Sequence, residues 1–205
     1  MITNKKKITI GLTGGIATGK STALEAFRKL GCRVIDCDKV AREVVRKGRP
    51  ALKKIKIRFG PGVLRKDGSL DRAALGGIVF ADPSQKKALE WIIHPEVKKK
   101  VIRSLNKIRR GIVVVDVPLL FEAGWKALFD KTLVVWAPLN TQVARLLRRN
   151  GLARFDAIRR IRCQMPLDSK KKLADAVIDN SRDKSHIRRQ AAKLVVKWAS
   201  TVSRK

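Results

Sequence analysis

With 205 residues, 44% of them hydrophobic, the chain can bury one full core with room for small insertions, which excludes a disordered polypeptide. Forty-eight Lys and Arg against 17 Asp and Glu give a net charge of +31, a field that favours anionic partners: ATP, a phosphorylated substrate, RNA or an acidic membrane. No stretch is long enough to span a bilayer. With no Tyr, 6 Phe and 4 Trp, the chain is also poorly supplied with stacking platforms for single-stranded nucleic acid.

The basic residues run from Lys5-Lys6-Lys7 to Arg204-Lys205 rather than forming one tail. They read as a solvated surface, with nucleic-acid binding incidental. Cys32, Cys37 and Cys163 form no CxxC pair and are odd in number, as expected of reduced thiols in a cytoplasmic protein.

In chain order, Ile8 to Leu12 is a short β-branched run that reads as a buried strand. Behind Lys5-Lys6-Lys7 it superficially looks like a leader peptide, but it is too short and runs directly into a glycine-rich loop. That loop fits the spacing Gly, four residues, Gly, Lys, Ser/Thr at Gly14, Gly19, Lys20 and Ser21. Ala23, Leu24, Ala26, Phe27 and Leu30 then recur at helical spacing, and Gly31 stands where the helix stops. Strand, glycine-rich turn and helix are the context a nucleotide phosphate loop requires. Glycines admit phosphate close to backbone N–H groups, and the helix N-terminus offers unpaired donors and a positive dipole end. Lys20 is within reach of β- and γ-phosphates, and the Ser21 hydroxyl is a Mg²⁺ ligand.

Arg33 to Asp38 reads as a second strand ending in two carboxylates. A helix with Val40, Ala41, Val44 and Val45 follows, ending near Gly48-Arg49-Pro50. Residues 39–110 read as a mostly helical, acceptor-binding region, punctuated by Gly60-Pro61-Gly62, Asp67-Gly68, Gly76-Gly77 and Asp82-Pro83. Ile112 to Asp116 is the strongest strand, and its unbroken β-branched run predicts burial on both faces. Thr132 to Trp136 and Ala176 to Ile178 are further strands, with helices over 139–149, 155–164 and 183–200. Strands alternating with helices predict a doubly wound parallel α/β sheet, with its ligand crevice at the carboxyl ends of the strands.

Four sets of residues outside the loop carry chemistry. Asp38 is placed to orient or deprotonate an acceptor hydroxyl; the competing readings are a helix N-cap and a contact to Mg²⁺-bound water. Asp116 is either a Walker-B carboxylate acting on Mg²⁺ or a strand-end cap of the Pro118 turn. Arg145 and Arg149, at i and i+4, share a helix face, either a phosphate-neutralising lid or a solvated basic surface. Pro95 suits the first position of a new helix, and His94 is a cap, a substrate contact or the filling of a polar gap.

Together these residues resemble the dephospho-CoA kinase family. The matching stretches are Gly11 through Thr22; Val34 to Asp38 with Ala41-Arg42; Phe59-Gly60; Gly68 to Arg72; and His94-Pro95. They continue with Asp116 to Glu122, Gln142 to Arg145, Arg149, Gln164, Ala174-Asp175 and Asp179-Asn180. The Pro-Leu-Leu-Phe-Glu and His-Pro elements are more specific than the loop. The resemblance implies a phosphate-loop kinase core with a lid over residues 150–172, using ATP and Mg²⁺ to phosphorylate the ribose 3′-hydroxyl of dephospho-CoA. It implies Asp38 as general base, with Lys20 and Arg149 stabilising the transferring phosphoryl. Gly15, Ile16, Ala17, Thr18, Gly19, Lys20, Ser21, Thr22 and Asn180 would bind nucleotide, Asn180 near the base. Ser21 and Asp116 would serve Mg²⁺. Asp38, Arg42, His94, Leu119, Leu120, Phe121, Glu122 and Arg145 would meet the acceptor. Ala17 and Cys37 depart from the family pattern, where Gly and Ala are common. The rivals are another small phosphate-loop kinase and a nucleic-acid-stimulated NTPase, and the expected state is a monomer or small homo-oligomer.

Overall fold

The computed structural model describes residues 7–202; Lys5-Lys6 and Arg204-Lys205 lie outside the described residues. The strands are β1 (Lys7–Gly14), β2 (Arg33–Asp36), β3 (Gly111–Asp116), β4 (Lys131–Trp136) and β5 (Ala176–Asp179), in the order β2-β3-β1-β4-β5. The β1–β3, β1–β4 and β4–β5 pairs are parallel. The helices are α1 (Lys20–Lys29), α2 (Cys37–Val44), α3 (Pro50–Phe59), α4 (Arg72–Ala81) and α5 (Pro83–Lys107), then α6 (Leu139–Asn150), α7 (Arg154–Arg162), α8 (Leu167–Leu173) and α9 (Lys184–Val202). Two compact units result. One is formed by the described parts of residues 1–35 and 108–205, the other by residues 36–107.

In the first unit, the apolar runs Val113-Val114-Val115 and Leu133-Val134-Val135 are fully buried, as a parallel sheet covered on both faces demands. One face turns Ile10, Leu12, Val114, Leu133, Val135 and Ile178 against α1 and α9, whose Phe27, Ile187, Ala191 and Trp198 fill the layer. On the other face Gly11 leaves the space that Leu120 and Phe129 occupy. A Cβ at Gly11 would lie 2.5 Å from a carbon of each. With β3 on one side of β1 and β4 on the other, the strand order reverses beside β1, so a crevice opens where β1 ends.

Two matching clamps set the starts of β4 and β5. Thr9 donates through both N and Oγ1 to Asp130 Oδ2 at 2.7 Å, and Thr132 does the same to Asp175 Oδ2 at 2.7 Å. Each aspartate N–H returns a bond to the threonine hydroxyl, at 3.1 and 3.2 Å. Burial opposes the charge of Asp175, but the Thr132 hydrogen bonds and the cations Lys131 and Lys126 outweigh it and lower the carboxyl pKa.

The second unit contains α2 to α5 and corrects two expectations. The strand β2 stops at Asp36, because Asp36 Oδ1 accepts from the Lys39 N–H at 3.0 Å and starts α2. The N-cap role weighed for Asp38 therefore belongs to Asp36, and Asp38 lies exposed in the first turn. Pro95 does not open a helix; it lies inside the 25-residue α5. Proline removes its own donor, but Val97, Val101 and Leu105, buried at i, i+4 and i+8, hold the following turns. His94 is consequently half-buried in mid-helix and is not a cap.

A carboxyl whose folded pKa is depressed contributes stability above its unfolded pKa, and loses it as pH falls through the folded value. Unfolding midpoints are therefore expected to drop between about pH 5 and pH 2. In Asp175→Asn that drop is shallower, as measured by thermal melts across the range.

Candidate active site

Strand β1 ends at Gly14, and the chain loops through Gly15 to Gly19 before α1 begins at Lys20. No side chain caps α1 and its first turn holds no acidic residue, so a bound anion is the natural partner for its N-terminal N–H groups. The loop bends through left-handed conformations at Ala17 (φ 58°) and Gly19 (φ 86°). Ala17 is the one non-glycine residue with positive φ among those described, a conformation that costs an L-residue about 1–2 kcal/mol.

The loop is held from outside. Asn180, buried just past the end of β5, donates Nδ2 to Thr18 O at 2.6 Å, and its own N–H bonds Trp136 O at 2.8 Å. A Cβ on Gly19 would lie 1.9 Å from Asn180 Nδ2, so a side chain there would have to displace the Asn180 amide as well as adopt φ 86°. Arg145 on α6 donates to Ala17 O at 3.2 Å and to Asn180 O at 3.1 Å, cross-linking the two segments. Burial, and then the charge of Arg148, lower the Arg145 pKa, yet a guanidinium stays charged. Ile16 and Ala17 pack against Val143, Leu146 and Ala157 of α6 and α7.

Lys20 Nζ donates to both carboxylate oxygens of Asp116, 2.6 Å to Oδ2. Register explains the meeting: Asp116 pairs with Leu12 across β3 and β1, two residues before the loop. The segment 150–172 folds as α7 and α8. Gln164 Oε1 accepts from the Ile16 N–H at 3.1 Å. The fully buried Lys170 reaches Glu122 Oε1 at 2.8 Å and Gly14 O at 3.5 Å. A cleft of about 290 Å³, bordered by Gly15, Trp136, Gln142, Gln164 and Leu167, opens between loop and segment.

The sequence-derived set therefore divides. Gly15, Ile16, Ala17, Thr18, Gly19, Lys20, Ser21 and Thr22 form the loop and first turn, and Asp116, Asn180 and Arg145 converge on it. Asn180, expected near the nucleotide base, has its amide buried against the loop. Arg145, expected to meet the acceptor, braces the loop. Arg149 is exposed one turn later, bonded to Asn150 Oδ1 at 2.9 Å. Leu120 is not a pocket residue: it is fully buried over Gly11. Glu122 joins Lys170 and accepts from the Met165 N–H at 3.3 Å, while Leu119 and Phe121 are half-buried. In the second unit, Asp38 and Arg42 are exposed at i and i+4 of α2 and His94 is half-buried on α5. Gln164 carried no role in the sequence reading, and Lys170 was not separable from its neighbours Lys171 and Lys172. Among the described residues no three His, Cys, Asp or Glu side chains gather as a metal cluster.

Two substitutions test the loop. Gly19→Ala is expected to abolish measurable ATP binding in calorimetric titration. Ala17→Gly relieves the left-handed alanine and is expected to raise the urea-unfolding free energy by up to about 1 kcal/mol.

Comparison with known proteins places this geometry. The family model described as dephospho-CoA kinase matches residues 8–186. A dephospho-CoA kinase of Bacillus licheniformis is 46% identical over 196 residues, covering 94% of this chain and 98% of that protein. Among solved structures, a Thermus thermophilus protein superposes with TM-score 0.81 at 38% identity, covering 95% of this chain and 98% of that one. The dephospho-CoA kinase from Campylobacter jejuni gives TM-score 0.73 at 30% identity, with the same coverage.

Proposed function

The chain belongs to the dephospho-CoA kinase family, and from that premise we propose that it transfers the γ-phosphoryl of ATP to the ribose 3′-hydroxyl of dephospho-CoA, giving coenzyme A. The observation that carries the reading is the uncapped N-terminus of α1 behind a braced glycine loop, with Lys20 beside Asp116.

In this reading the loop N–H groups and Lys20 hold the β- and γ-phosphates, so that the phosphorus is presented rather than chemically activated. Asp38 takes the proton of the acceptor hydroxyl as the O–P bond forms. Its exposure, with Arg42 one turn along the same face, suits a group that must meet a ligand. Arg149 neutralises charge developing on the transferred group. The segment 150–172 excludes water, which would otherwise intercept the phosphoryl.

Mg²⁺ fits the residues present. The exposed Ser21 hydroxyl stands at the start of α1, Asp116 lies beside Lys20, and no closed cluster competes among the described residues. This is the sparse donor set expected of an ion shared with nucleotide phosphates and water. Ser21 and Asp116 would hold it, and when bound it offsets charge on the β- and γ-phosphates. Three free cysteines among the described residues support a reducing, cytoplasmic setting.

Mass detection of product from ATP, Mg²⁺ and dephospho-CoA tests the reading. Wild type is expected to form coenzyme A, and Asp38→Asn to lose about a hundredfold or more in kcat while still binding ATP. Hydrolysis of ATP without coenzyme A formation in wild type contradicts it.

A further inference from the structure

Lysine is almost never fully buried unless paired, and Lys170 has no exposed side-chain surface. Its ammonium has two oxygen partners, Glu122 Oε1 at 2.8 Å and the carbonyl of Gly14 at 3.5 Å. A hydrophobic pair of similar volume commonly stabilises a fold as well as a buried ion pair or better. What the apolar pair could not supply is a donor at one chosen carbonyl. Gly14 O belongs to the peptide between the last residue of β1 and the first of the phosphate loop. Flanked by two glycines, that peptide has little intrinsic restraint. Because a peptide is planar, fixing its oxygen also fixes the direction of the Gly15 N–H.

The next tie lies close by. The Ile16 N–H donates to Gln164 Oε1 at 3.1 Å, and the Met165 N–H donates to the same Glu122 oxygen that Lys170 holds, at 3.3 Å. Lys171 instead stacks over the Trp136 ring at 4.7 Å, and Lys172 is exposed. One lysine of three is therefore turned inward.

We propose that Lys170 and Glu122 are a positioning pair coupling the segment 163–173 to the entry of the phosphate loop, and that turnover depends on this pair although neither group touches the transferred phosphoryl. The proposal rests on the kinase reading above. Displacement of the segment releases both ties to the loop together, so loop geometry and water exclusion change as one event.

The test compares wild type with Lys170→Met, Lys170→Arg, Glu122→Gln and the Lys170→Met/Glu122→Gln double variant, measuring thermal midpoint, kcat, KM for ATP and tryptic cleavage within residues 154–172. Glu122→Gln leaves a buried ammonium without its carboxylate and is expected to melt earlier. The double variant removes that ammonium and is expected to recover the midpoint, while kcat stays down by about tenfold to a hundredfold. Lys170→Arg keeps charge and donor and is expected to retain more of kcat than Lys170→Met. Recovery of kcat together with stability in the double variant would reduce the pair to a structural contact and overturn the proposal. Should wild type form no coenzyme A, the kinase reading fails, and cleavage still decides the pairing. Faster cutting after Arg154, Arg159, Arg160 or Arg162, sites the substitution leaves intact, in folded Lys170→Met upholds the coupling, and an unchanged rate at those sites overturns it.

Discussion

The hydrogen bond from Asn180 to the carbonyl of Thr18 occupies the place where residue 19 would carry a side chain. The rest of the site follows from that contact. A glycine at 19 permits the left-handed turn into α1, and the turn leaves the helix N-terminus without a side-chain cap. An uncapped helix end with no acidic neighbour has unmet donors and a positive dipole end, which makes the loop an anion site. The donor lies 162 residues along the chain from its acceptor, so this contact needs β5 in its place in the sheet.

The sheet order makes that contact possible. Strand β5 lies beside β4 and β4 beside β1, so the ends of β5 and β1 approach each other across one strand. On the other side of β1, β3 delivers Asp116 to Lys20. The Pro118–Glu122 turn that follows has two separate tasks. Leu120 fills the gap over Gly11, and Glu122 reaches outward to Lys170. One short motif thus anchors a core contact and a tie to α8.

Where a signal is local, the sequence is legible. The β-branched runs of β1, β3 and β4 read directly as buried strands, and the glycine-lysine spacing marks the loop because few other backbones need it. For Asp116 the sequence leaves two readings, a Mg²⁺ carboxylate and a strand-end cap, and the fold adds its contact with Lys20. Lys170 was not legible, since a run of three lysines gives no sign of which faces inward; burial is decided by tertiary packing. The same limit applies to Asn180 and Arg145: the family resemblance implies ligand roles for both, and their contacts to the loop backbone are visible only in the fold. Asp38 reads as a cap candidate because two carboxylates stand where the strand gives way to a helix, and only the hydrogen bond from the Lys39 N–H assigns the cap to Asp36. The His94-Pro95 pair resembled a helix start because proline favours that position, but buried valines carried the helix past it.

The central claim, that contacts from outside the loop give it its phosphate-binding shape, is tested most directly by calorimetric titration of ATP into Asn180→Ala, with folding checked by circular dichroism. The account predicts a folded protein whose ATP affinity falls by about tenfold or more, equivalent to about 1.4 kcal/mol. A folded Asn180→Ala protein that binds ATP as tightly as wild type would contradict it.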